Sequence, residues 1–318
     1  MICAMWRRAG AVGAVAMVGG LLLAAEPVTA VASPRTAAVA PRLSPGFHTL
    51  TYPQSVDTWP LGITPSGTII GQAELRSGLR LGFTYAKGMW KSYRYPRSFR
   101  SAVVGVTRTG AIVGYFVTKD GVFEGFVETK GAYQAIVAPR ASRAKGDGTI
   151  LTGVNANGTI VGYTLTGYTA KGFRDMSGKF LNVVYGAPRG ASTYETEPFG
   201  IARSGAIVGF EYGSASAAGF VLRGQAFSLA HAPGQPKGGA TELLGIAPTT
   251  GAQVGAWWGS SSSSADAHGF RIAAGTYHAL SDPLAKKGTT PTGVSDAGKV
   301  VGSYLDATSH AFGFIWVP

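Results

Sequence analysis

Glu195 and Glu197 are two carboxylates at i, i+2 spacing, which in a strand sets both on one face. Paired carboxylates at the right separation hydrolyse glycosidic bonds, and with Glu74 and Glu242 these are the acids an enzyme would use. Little else supports catalysis. The five histidines, His48, His231, His268, His278 and His310, are scattered without metal-ligand spacing. The single cysteine is Cys3, and no Gly-x-Ser-x-Gly elbow occurs. No catalytic residue, metal or cofactor is therefore expected, and the enzyme question stays open with a lean towards none.

Binding chemistry is better represented. Arg97 and Arg100 are followed by Arg140, Arg143 and Lys145. Guanidinium groups grip carboxylate, sulfate or phosphate through paired N–H donors. Trp257-Trp258 is the most distinctive aromatic pair, and Gly259 and a serine run follow it. An indole beside a loop is a platform for a sugar ring, although buried packing competes with that reading. Trp59, Phe99 and Tyr194 are weaker aromatic candidates.

These residues must be placed by the elements that carry them, and the elements are dictated by a repeat. The phrase Gly, Ile or Val, a polar turn ending in Gly, two apolar residues and Gly occurs at Gly62–Gly71, Gly105–Gly114, Gly153–Gly162, Gly200–Gly209, Gly245–Gly255 and Gly293–Gly302. A recurrence of about 45 residues marks a propeller or solenoid. Within the second copy, Ala102–Val106, Ala111–Phe116, Phe123–Glu128 and Ala132–Ala138 read as four short strands with glycine-closed turns. A Gly-Phe pair recurs in the third strand, from Gly82-Phe83 to Gly313-Phe314, and reads as core packing.

The sixth copy stops at Pro318 without a fourth strand, while Gly46–Pro53 reads as a fourth strand without a blade. The expectation is an all-β, six-bladed β-propeller of four-stranded antiparallel blades over residues 46–318, with the N-terminal strand closing the last blade. Closure removes exposed sheet edges. The turns after the first and third strands then share one face. The second-to-third loops and the blade connections share the other, and their variability makes that loop face the expected binding face.

The phrase, followed by His268-Gly269-Phe270 and His310-Ala311-Phe312, resembles the bacterial HAF-type extracellular repeats. The other copies lack the histidine. The resemblance covers residues 46–318 and implies export and a propeller-like fold, with no catalytic residue to carry over.

Arg7 and Arg8, the uncharged run Ala11–Ala25 and the small residues Val28-Thr29-Ala30 read residues 1–30 as a secretory signal peptide. The Ala- and Pro-rich residues 31–45 read as a disordered lead-in. The expected product is secreted or extracellular, with a place at the cell surface open and no transmembrane segment left after signal removal. Loss of Arg7, Arg8 and Glu26 changes the formal balance from 28 basic and 16 acidic side chains to 26 and 15. A basic exported chain suggests an acidic glycan or cell-envelope polymer as partner. Nucleic acid ranks last, because the basic residues match no motif. The function expected is non-catalytic binding of an anionic polymer or glycan. The alternative is an extracellular polysaccharide hydrolase or lyase on the same scaffold.

Overall fold

The computed structural model describes residues 43–167, 169–186, 195–213, 217–259 and 267–318. The signal peptide expected at 1–30 and most of the lead-in lie outside the described residues. The strands form units of four. The first unit is β2 (Ser55–Ile63), β3 (Ile69–Leu75), β4 (Arg80–Ala86) and β5 (Met89–Tyr93). The second is β6 (Arg100–Val106), β7 (Ile112–Val117), β8 (Phe123–Thr129) and β9 (Ala132–Ile136). The third is β10 (Gly148–Val154), β11 (Ile160–Thr166), β12 (Thr169–Met176) and β13 (Lys179–Val183). The fourth is β14 (Glu195–Ile201), β15 (Ile207–Tyr212), β16 (Ala217–Arg223) and β17 (Ala226–Ala230). The fifth is β18 (Ala240–Ile246), β19 (Gln253–Trp258), β20 (His268–Ala273) and β21 (Thr276–Leu280). The last comprises β22 (Thr289–Val294), β23 (Val300–Leu305) and β24 (Ala311–Val317), completed by β1 (Gly46–Leu50).

Pairing within each unit is antiparallel. Single parallel pairs, Arg80↔Arg100 and Gly148↔Phe123, link the first three units into one 12-stranded sheet. Both chain ends share one sheet, with Gly46 opposite Val317 and Leu50 opposite Gly313. The first strand of the first unit, β2, packs against β22, β23 and β24. The units therefore run in a closed circuit, and no helix among the described residues is long and apolar enough to cross a membrane.

Each repeated residue has a steric reason. The glycine-closed turns use positive φ, as at Gly67 (83°) and Gly110 (86°). Lys130 (51°) and Gly131 (90°) give two successive positive φ values, the mirror-image turn that matches strand twist. Gly82 faces Val103 of the next unit, where an added Cβ would meet its backbone nitrogen at 2.8 Å. Gly313 faces Pro60 of the first unit in the same way, at 2.8 Å from Cγ. The third-strand glycine thus lets each sheet lie against its neighbour. The phenylalanines behind these glycines fill the space between units: Phe83, Phe126, Phe220, Phe270 and Phe314 are fully buried and Phe173 nearly so. Consecutive residues of the second strand serve different interfaces. Ile112 joins the cluster around Phe126, and Val113 the cluster around Leu151 and Phe173.

A further repeat acquires its role in three dimensions. Thr58, Ser101, Thr149, Thr196, Thr241 and Thr289 are buried, and each hydroxyl oxygen accepts a backbone N–H where the preceding outer strand ends. The donors are Tyr52 (3.0 Å), Tyr95 (3.1 Å), Ala138 (3.0 Å), Tyr185 (3.1 Å), Ala232 (3.0 Å) and Asp282 (2.9 Å). The latch satisfies a buried donor that no ladder reaches and fixes where the chain turns inward.

Candidate functional site

The loop face carries the cationic candidates, but in different states. Arg97 and Arg140 are exposed and occupy the same position of the same turn. Each follows a proline, has φ near 61°, and lies in a turn closed by Ser98 N–H to Tyr95 O (3.0 Å) or Ala141 N–H to Ala138 O (3.1 Å). This turn type favours glycine there, and the fourth unit does have Gly234 (86°) after Pro233.

Arg100 is half-buried in the wall. Its guanidinium lies 5.6 Å from the Phe123 ring centre and interacts electrostatically with the buried Tyr115 phenol. Burial lowers the Arg100 pKa and pushes the Tyr115 phenol up to about 12. Arg100 is therefore part of the packing, unlike Arg97 beside it in sequence. Arg143 is exposed and reaches Glu124 Oε1 at 3.5 Å, while the stem of the exposed Lys145 covers Gly121.

The acids sit in different surroundings. Glu74 accepts Arg80 Nε at 2.6 Å, and the Arg80 guanidinium lies 5.2 Å from the Trp59 ring centre. Glu195 is half-buried, and Glu197 and Glu242 are buried at aligned positions of adjacent units. Among the described residues no three His, Cys, Asp or Glu side chains group as metal ligands.

The two tryptophans part company. Trp258 is 1% exposed and packs with Ala256 and Ala267, so the sugar-platform reading does not fit it. Trp257 faces the opposite side of β19, as alternation requires. Its ring stacks on His268 with centres 4.0 Å apart and planes 15° apart, and Nε1 donates to the Tyr277 hydroxyl at 3.2 Å. Trp257, His268 and Tyr277 line a cleft of about 250 Å³ closed by Pro233 from the preceding unit. Tyr277 and the outer-strand pocket it completes were not among the sequence candidates. The signal was its alignment with Tyr133, two residues past the turn glycine. Of the weaker aromatics, Phe99 is 78% exposed and Trp59 half-buried. Tyr194 lies outside the described residues.

The His-containing phrases do not occupy equivalent positions. His268 directly precedes Gly269-Phe270 in β20, whereas His310 precedes β24 by one residue and sits 3.5 Å from Asp57 Oδ1, at the junction of last and first units.

A cavity of about 380 Å³ opens on the other face, among the turns after the first strands. Sequence variability drew attention to the loop face, but cavity shape follows the ring axis.

No family model and no curated protein matches the chain. Its fold is similar to that of the calcium-binding protein regucalcin from Agrobacterium tumefaciens, with TM-score 0.52, 13% identity, and coverage of 85% of this chain and 92% of that one. It is also similar to the Aleuria aurantia fungal lectin, described as a six-bladed β-propeller with a novel fucose recognition mode. There the TM-score is 0.50 with 11% identity, covering 80% of this chain and 89% of that one. The chain spans 63% of the length of a TolB from Acinetobacter baumannii, at TM-score 0.49. At these identities the likeness shows an all-β fold of the β-propeller kind.

Proposed function

We propose that this chain is an exported, non-catalytic six-bladed β-propeller of the HAF-repeat type, which binds an anionic glycan or cell-envelope polymer through its loop face. The observation that carries this reading is the Trp257 cleft. An indole, a phenol and an imidazole border a space of about 250 Å³ between two units. Aromatic rings supply apolar area and the polar tips supply orientation, which is the composition of a small-molecule site. Indole nitrogen is donor only, so Tyr277 accepts from Trp257 and keeps its own proton for an outside acceptor. A hydroxyl-rich ring suits that arrangement.

Charge preference comes from Arg97 and Arg140. Both hold a left-handed backbone that costs a non-glycine residue about 1–2 kcal/mol. Strain retained at exposed positions is a pointer to function. These turns belong to other units than the cleft, so a polymer engages both regions and a monosaccharide only the cleft. Recognition of fucose by a lectin of similar fold is consistent with this use of the scaffold.

The test is a glycan array containing neutral and acidic polymers, repeated over a salt series, with wild type, Trp257→Ala and Arg97→Ala/Arg140→Ala. The cleft variant should lose sugar recognition. The arginine variant should lose affinity chiefly for acidic polymers at low salt. Absence of binding to every polymer at low salt would sink the proposal. New reducing ends from a bound polymer, lost in Glu197→Gln, would instead favour the hydrolase.

A further inference from the structure

The axis of the ring contains a second site of different chemistry. The residue preceding each repeat glycine falls where the first strand shifts register against its neighbour, so it bulges from the ladder. These residues, Leu61, Val104, Thr152, Phe199, Leu244 and Thr292, ring the axis and line the cavity of about 380 Å³. Beyond them lies a smaller chamber of about 50 Å³, backed by Tyr115, Ile150, Leu151 and Tyr163. The space is therefore a funnel, wide at the turn face and tapering to a narrow, mostly apolar end.

The mouth is defined by the residue three places after each repeat glycine. Pro65, Ala156 and Pro248 carry no charge, and Arg108, Arg203 and Asp296 do. Asp296 Oδ1 accepts the backbone N–H groups of Thr249 (2.8 Å) and Thr250 (3.0 Å) in the neighbouring turn, so its charge serves the rim itself. Arg108 and Arg203 are exposed, line the cavity, and make no ion pair among the described residues. The mouth thus presents two cations above an apolar throat.

We propose that this funnel binds a small carboxylate with an unbranched apolar tail. The head pairs with the guanidinium groups of Arg108 and Arg203, which match carboxylate geometry. The tail passes the ring of bulged residues and ends in the small chamber, where apolar burial supplies affinity. The inner chamber is too small for a sugar ring, and the funnel shares no lining residue with the Trp257 cleft, so the two sites are separate.

Calorimetric titration of the purified chain with straight-chain carboxylates from hexanoate to dodecanoate tests the proposal. Each added methylene should tighten binding roughly fourfold until the chamber is full, at one ligand per chain. Arg108→Ala/Arg203→Ala should weaken carboxylate binding at least about tenfold and leave the methyl esters unchanged. Val104→Trp should shorten the longest chain that binds. If Val104→Trp does not fold, the exposed arginine pair still decides. No binding, affinity independent of chain length, or carboxylate binding unaltered in the arginine variant would overturn the assignment.

Discussion

The Thr292 hydroxyl donates to the Pro60 carbonyl oxygen at 2.7 Å, joining the first strand of the last unit to the first strand of the first, 232 residues apart. Thr152 makes the same 2.7 Å bond to Pro198 within an interior junction. The closing seam is built like an internal one. Thr292→Val and Thr152→Val should therefore each cost about 1–3 kcal/mol, since each leaves a carbonyl without its partner. Denaturant unfolding checks this. A penalty at Thr152 with none at Thr292 would mean that the ring is open at its ends.

The buried hydroxyl latch predicts a sharper pair. Thr149→Val keeps the shape but removes the acceptor for the buried Ala138 N–H. The expected loss is about 1–3 kcal/mol, or roughly 2–4 °C of melting temperature per kcal/mol. Thr149→Ser should retain most of the stability. Equal melting of the two variants would remove the latch from the account.

These latches also measure how far the sequence could be read. Glycine repeats, turn glycines and Gly-Phe pairs were legible because each is a steric requirement tied to one position. They place the strands of the second unit to within about two residues. Closure was legible because Gly46–Pro53 lacked a partner. A Ser or Thr does stand four residues before every repeat glycine, but hydroxyls in strands read as ordinary β-formers until the backbone N–H donors they serve are seen. The site was less legible. Arg97 and Arg100 are three residues apart, yet one is exposed and the other packed against Tyr115. Trp257 and Trp258 differ by strand alternation alone, and the sequence does not fix its phase. The axial funnel draws on one residue from each unit, a relationship no local motif carries.

At Arg97, strain and charge can be separated. Arg97→Ala keeps the left-handed cost and Arg97→Gly removes it. The glycine variant should be more stable than the alanine variant by about 1 kcal/mol. Both should lose affinity for acidic polymers equally. A stable glycine variant with full polymer affinity would show that the arginine serves neither purpose.

Two carboxylates should tilt stability with pH in opposite directions. Burial raises the pKa of Glu211 above its ordinary 4.5. The folded state then holds the proton more tightly, and stability falls as pH rises from about that value through the raised pKa. Glu211→Gln should therefore gain on wild type at neutral pH and converge with it in acid. Asp296 runs the other way. Although its partial burial acts to raise the pKa, hydrogen bonds from Thr249 and Thr250 outweigh this and hold it below its ordinary 3.8. Its contribution is present above that value and lost as pH falls through the lowered pKa, so Asp296→Asn should destabilise at neutral pH and lose its effect in acid. Melting curves from pH 3 to 8 would show both slopes. The same sign for both variants would contradict the assignment.

The most direct measurement of the central claim uses the indole N–H resonances of adjacent tryptophans. Acidic and neutral oligosaccharides from the array would be titrated into ¹⁵N-labelled protein, with Trp257 and Trp258 assigned by substitution to Phe. The account predicts that the Trp257 signal, whose N–H meets Tyr277, shifts saturably while that of the buried Trp258 stays in place. Saturable sugar binding that leaves the Trp257 signal unmoved would contradict it.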